Sequence, residues 1–139
     1  MTFLLDASIA AAWFLPKEQH DAADRLMTEL RATVGLVPTL FWFETRKSVP
    51  GRRTARTASP RRSASVDDTI ARASLEDAGS GGDGLVLDLA ARYTLTGYHA
   101  SCVALAKAHG LPLATGDRKM AAAARNEGIT IVGPLEHEH

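Results

Sequence analysis

The sequence predicts a single α/β domain, three layers deep, with helices on both faces of a small, mostly parallel sheet of four to five strands. Two observations predict it. Short, wholly apolar runs recur along the chain with helical stretches between them, the pattern of strands covered on both faces and joined by right-handed crossovers. A chain of 139 residues with 45% hydrophobic content fills one core and is too short for two. The domain is expected over residues 1–134. Residues 135–139, Leu-Glu-His-Glu-His, read as an expression-tag-like or frayed tail.

The elements follow in order. Phe3, Leu4 and Leu5 form the first strand, which Asp6 ends. Ser8 is placed to cap a helix running through Ala10 to Phe14, and Pro16 breaks it before a second helix over 19–31. In that helix Ala22, Ala23, Leu26, Met27 and Leu30 share a stripe. Gly35, Leu36 and Val37 make the next strand, and Pro38 sets up a helix over 39–48 that carries Glu44. Segments 85–93 and 98–109 have helical spacing, the second stopped by Gly110, with Tyr98, Cys102, Leu105 and His109 on one face. Leu111 to Ala114 is a strand, Thr115-Gly116-Asp117 a turn, 120–127 an alanine-rich helix, and Ile129 to Val132 the last strand.

The middle of the chain is different. Residues 46–65 hold seven basic residues, no acidic ones and two prolines, a composition that cannot fill a core and predicts an irregular or flexible segment. Over 75–84 the glycines 79, 81, 82 and 84 crowd together, which argues against a strand there.

A formal net charge of zero gives no global attraction to nucleic acid or to an anionic membrane. The single cysteine, Cys102, excludes an internal disulfide and a multi-thiolate metal site, and its apolar neighbours predict a packing role. No leader-like start and no apolar segment near the ~20 residues of a membrane span are present, so a cytoplasmic protein is expected.

Asp6 and Asp117 each lie just past the C-terminal end of a predicted parallel strand, the edge where open α/β sheets bind ligands. Two ionised carboxylates ~4 Å apart repel by about 4 kcal/mol at an effective dielectric of ~20, so clustering them requires protonation or a bound cation. Mg²⁺ fits all-oxygen ligands, and Mn²⁺ is an alternative. Either aspartate alone reads equally well as a helix cap. Glu44 reads as a solvated helix residue or, beside Trp42 and Phe43, as part of a helix embedded near the core.

The runs Phe-Leu-Leu-Asp-Ala-Ser (3–8), Val-Pro-Thr-Leu-Phe-Trp-Phe-Glu (37–44), Tyr-His-Ala-Ser-Cys-Val-Ala-Leu-Ala (98–106) and Leu-Pro-Leu-Ala-Thr-Gly-Asp-Arg-Lys (111–119) together resemble the PIN-domain ribonucleases, specifically the VapC toxins of bacterial toxin–antitoxin pairs. The resemblance covers about two thirds of the chain in the right order. It implies a metal-dependent endoribonuclease that cleaves RNA with metal-activated water, with Asp6, Glu44 and Asp117 as metal-binding, catalytic carboxylates and Ser8 and Thr115 as polar supports. It also implies a VapB-like antitoxin partner and a homodimer.

Two departures stand out. Where the family places an aspartate after Tyr98, this chain has His99, which adds no negative charge. Three readings stay open: a weakened site, a histidine that still ligates or relays protons, or a structural helix-start residue. The alternative function is then a catalytically impaired PIN-like protein that acts through partner binding. The second departure is the basic stretch, where Arg52, Arg53 and Arg56 are candidate RNA contacts; a disordered segment and a pair of compensating frame changes in the coding sequence are the alternative readings. A phosphohydrolase of the haloacid dehalogenase type would want an aspartate where Ser8 stands.

Overall fold

The computed structural model describes residues 2–14, 21–48 and 74–138. Among them run β1 (Leu4–Leu5), α1 (Ala7–Phe14), α2 (Asp21–Leu30), β2 (Gly35–Val37), α3 (Phe41–Ser48), β3 (Leu75–Asp77), α4 (Asp83–Tyr93), α5 (Gly97–His109), β4 (Leu113–Ala114), α6 (Arg118–Asn126) and β5 (Ile131–Val132). The five strands form one sheet in the order β3-β2-β1-β4-β5, and every pair is parallel.

This order places the helices. The chain moves outward from β1 through β2 to β3, then returns to the other side of β1 for β4 and β5. Right-handed connections in opposite directions along one sheet put α1 to α3 on one face and α4 to α6 on the other. Packing agrees: α1 lies against α2 and α3, and α5 against α4 and α6. The result is the three-layer α/β/α architecture that the apolar runs predict.

The central strand is apolar because nothing wet touches it. Phe3, Leu4 and Leu5 are fully buried, and Leu4 and Leu5 pair in register with Leu113 and Ala114 of β4. At the start of β2 a Cβ on Gly35 would stand 2.5 Å from the Leu30 side chain, so any larger residue there requires the buried Leu30 to shift. The amphipathic α2 buries Ala23, Leu26 and Leu30, with Ala22 and Met27 half-buried beside them. The Trp13 indole N–H donates to the Ala23 carbonyl at 2.8 Å and fastens α1 to α2.

Several expectations are corrected. The glycine-rich segment does begin with a strand, β3, an edge strand whose Glu76 and Asp77 are exposed; charged side chains suit an edge that must not recruit further strands. The Asp77 carboxylate accepts from the Gly79 N–H at 2.7 Å and the Thr39 hydroxyl at 2.8 Å, tying the turns after β2 and β3 together. Arg46 and Lys47 are helical, the last turn of α3, where their charge complements the helix dipole. Arg52, Arg53, Arg56 and the rest of the basic stretch lie outside the described residues, as does the break expected at Pro16. Finally, the expected tail begins inside the core: Leu135 is buried, its carbonyl accepts from the Arg125 guanidinium, and Glu138 pairs with Arg118.

On the second face, Glu127 joins three helices. Its carboxylate accepts from Lys107 of α5 at 2.7 Å, from Arg92 of α4 at 3.0 Å and from the Tyr93 hydroxyl. Lys107 first, then Tyr93, hold it below the usual carboxylate range.

Candidate functional site

Strand order reverses between β1 and β4, and the carboxyl ends of those strands carry Asp6 and the turn 115–117. Such a switch point opens a crevice at the sheet edge. The Asp6 N–H donates to the Ala114 carbonyl at 3.0 Å, which carries the β1–β4 ladder right up to the site.

Asp6 is 1% exposed, a place where an ionised carboxylate needs partners. It finds two on one oxygen: Oδ2 accepts from the Ser8 hydroxyl at 2.6 Å and from the Thr115 hydroxyl at 2.8 Å. Those hydroxyls receive N–H groups in turn, Ser8 from Gly116 at 2.8 Å and Thr115 from Asp117 at 3.0 Å. Each hydroxyl has one proton and directs it to Asp6, so the 3.4 Å approach of Ser8 to Thr115 carries no proton of its own. Among the described residues the other Asp6 oxygen, Oδ1, has only the Cys102 thiol, at 4.0 Å. Ser8 is therefore not the helix cap that its position suggests; its hydroxyl is turned to Asp6 and to the 115–117 turn.

The N-terminus of α1 is served from elsewhere. The Ala7 N–H donates to the Tyr98 hydroxyl at 2.9 Å. Burial, above all, keeps that phenol protonated, with the charge of Asp6 adding to it.

Asp117 does cap a helix, and it also stays available. Its Oδ1 accepts the Met120 N–H at 2.8 Å to start α6, while Oδ2 lies 3.9 Å from Nε2 of His99. Both side chains are about 30% exposed. His99 occupies the first turn of α5, where its own N–H donates to the Thr96 hydroxyl that caps the helix.

Glu44 stands half-buried in the first turn of α3, which packs against α1. The embedding argued from its neighbours fails in detail. Phe41 is fully buried, but Trp42 is 39% and Phe43 65% exposed, so the helix turns only one of its three aromatics inward. Glu44 still belongs with the aspartates electrostatically. The buried Cys102 thiol is pushed well up by desolvation first and then by the charges of Asp6, Glu44 and Asp117, all three acting on the same sulfur. That thiol stays protonated, in keeping with packing and not nucleophilic attack.

Among the described residues no ion pair neutralises Asp6 or Glu44, and no group of three or more His, Cys, Asp or Glu side chains is gathered to hold a metal directly. Among the described residues the fold provides one oxygen on each aspartate without an N–H or hydroxyl donor, and a third carboxylate, Glu44, whose charge acts on the same Cys102 sulfur. Mg²⁺ and Mn²⁺ suit such a set, because they keep several waters and bind through one or two carboxylates at a time. The donors present fit a hydrated divalent ion; they do not form a dry cage.

Of the candidates that the sequence motifs named, the structure sets Ser8 and Thr115 on Asp6 and His99 facing Asp117, while Glu44 stands apart in α3. The motifs missed Tyr98, Gly116 and Thr96 as supports. The shared helical face of Tyr98 and Cys102 was the available signal, since a face that meets the carboxyl end of β1 meets Asp6.

The sequence matches the PIN domain family over residues 3–126. In three dimensions the chain is similar to the crystal structure of PAE2754 from Pyrobaculum aerophilum, with a TM-score of 0.65, 22% identity, and coverage of 95% of this chain and 92% of that one. It is also similar to the crystal structure of FitAcB from Neisseria gonorrhoeae, with a TM-score of 0.60, 18% identity, and coverage of 97% and 99%. At these identities the likeness concerns the fold. No curated protein matches the chain.

Proposed function

This chain belongs to the PIN-domain family, whose members are generally nucleases that use divalent metals, and from that premise we propose that it is a metal-dependent endoribonuclease of the VapC kind. One observation carries the reading. Asp6, buried at the switch point of the sheet, has one oxygen fixed by Ser8 and Thr115 and the other left without a strong donor, with no cation beside it among the described residues.

In this reading Asp6, Asp117 and Glu44 would hold Mg²⁺ or Mn²⁺. When bound, such an ion would supply a nucleophilic water at neutral pH and charge neutralisation at the phosphodiester. The chain's own residues do the positioning. Ser8 and Thr115 fix the Asp6 carboxylate, Tyr98 fixes the start of α1, and the 115–117 turn presents Asp117. The partner proposed with this activity is a VapB-like antitoxin, whose segment would cover the acidic crevice, and the assembly proposed is a homodimer. The exposed Leu40, Trp42 and Phe43 beside Glu44 favour a protein contact on that side of the site. Arg52, Arg53 and Arg56 remain proposed RNA contacts. Among the described residues no helix is long and apolar enough to cross a membrane, and a cytoplasmic location is proposed with the activity.

A second reading rests on His99, which faces Asp117 and adds no negative charge: the fold is kept and partners are bound, but turnover is lost. RNA cleavage in Mg²⁺ and in Mn²⁺ separates the two. The native chain is expected to cleave, with Asp6→Asn lowering the rate by at least about a hundredfold. A native chain inert in both metals, together with gain of cleavage in His99→Asp, establishes the second reading. Inertness of all three folded proteins overturns the ribonuclease assignment.

A further inference from the structure

We propose that the outward face of α3 is a binding platform for single-stranded RNA, where bases stack on Trp42 and Phe43 and phosphates meet Arg46 and Lys47. The inference rests on the reading of the chain as a ribonuclease, and it concerns how such a chain holds its substrate.

The helix builds this face by its own spacing. Phe41 and Thr45 are buried, while Trp42, Phe43, Arg46 and Lys47 are all exposed. At about 3.6 residues per turn, the exposed four succeed one another around the helix in the order Trp42, Arg46, Phe43, Lys47, so rings and cations alternate. The rings are placed for contact. Trp42 makes an edge-to-face contact with the buried Phe41, centroids 5.1 Å apart at 85°, so packing holds its ring in place while part of it stays open to solvent. Phe43 is more exposed still, with no ring or cation of another described residue stacked on it. The cations are free as well. Among the described residues neither Arg46 nor Lys47 enters an ion pair. With a net charge of zero, a polyanion has to be met by a local patch of this kind. An apolar protein contact accounts for the rings but not for the unpaired lysine between them and Glu44, because lysine is depleted from the centres of such interfaces. Base stacking and phosphate neutralisation together are how proteins hold single strands without regard to sequence. Half-buried Glu44 comes next around the helix after Lys47, so a strand seated here runs beside a carboxylate of the proposed site. An antitoxin covering this side of the site would exclude RNA by occupying the same residues.

Fluorescence anisotropy of a labelled oligoadenylate RNA of about 12 nucleotides, with the full chain in EDTA to prevent metal-dependent cleavage, tests binding apart from activity. Trp42→Ala and Phe43→Ala are each expected to weaken binding on the order of tenfold, while Trp42→Phe and Phe43→Tyr, which keep a ring, retain it. Arg46→Gln and Lys47→Gln are each expected to lower the slope of log affinity against log salt by about 0.7. An RNA duplex of the same length is expected to bind more weakly, because its bases already stack on one another. Equal binding of duplex and single strand overturns the stacking role. Alanine variants that bind as the native chain does overturn the platform, and if they also change the sedimenting mass, the face is a contact between copies. Should that happen while the native chain still cleaves RNA and Asp6→Asn does not, the ribonuclease reading stands and only this inference falls. A folded native chain that neither binds nor cleaves RNA sinks both.

Discussion

Thr45, beside Glu44 on α3, holds a buried side-chain hydroxyl that has no hydrogen-bond partner among the described residues, in a residue only 3% exposed. An unsatisfied buried hydroxyl costs about 1–3 kcal/mol, so Thr45→Val, which keeps the β-branched shape, is expected to raise stability by about 1 kcal/mol. A higher urea midpoint at unchanged slope checks it; a lower midpoint means that the hydroxyl is paired in solution. Residues also set the limit of what sequence could reveal here. Asp6 and Asp117 were legible as candidates because each follows a short apolar run, Asp6 at once and Asp117 across a two-residue turn, and an acidic residue at that edge has a chemical reason to be there. The use made of each oxygen was not legible, because it depends on Ser8 and Thr115 meeting across 107 positions. Trp42 and Phe43 misled, since helix periodicity around Phe41 leaves both neighbours on the outer face.

At the scale of elements, the Glu127 contacts tie α4, α5 and α6 into one layer, and they do so with a carboxylate whose folded value is depressed below its ordinary 4.5. The sign follows from that direction. The stabilisation is fully present above the unfolded value near 4.5 and is lost as pH falls through the lower folded value. The gap in melting temperature between the native chain and Glu127→Gln is therefore expected to be constant from pH 7 to about 5 and to close below 4.5. A gap unchanged down to pH 3 contradicts this. Elements differ in legibility for a related reason. Those that bury a stripe or a full apolar run, such as α2 and β1, are written in their composition, while β3 is held by backbone pairing at an edge and by the Asp77 contacts, and its Leu-Glu-Asp run carries no alternating pattern to read.

For the whole molecule, the proposed metal links site to stability. An ion that binds only the folded chain stabilises it by about 2.7 kcal/mol at a hundred times its dissociation constant, so thermal melts in MnCl₂ are expected to shift upward, and the shift is expected to vanish in Asp6→Asn. An equal shift in both proteins places the ion elsewhere. The fold at this scale was readable from the spacing of apolar runs, because β-α alternation leaves few topologies once crossovers are right-handed. The sheet order has a further consequence, in time. Thr115 follows Asp6 by 109 positions. At about 5–20 residues per second, a ribosome adds them roughly 5–20 seconds apart. Until β4 docks beside β1, a nascent chain carries Asp6 without its hydroxyl from Thr115 and without Asp117 nearby. Any activity of the site therefore begins only after the 115–117 turn has been made, and a chain interrupted before it lacks that activity.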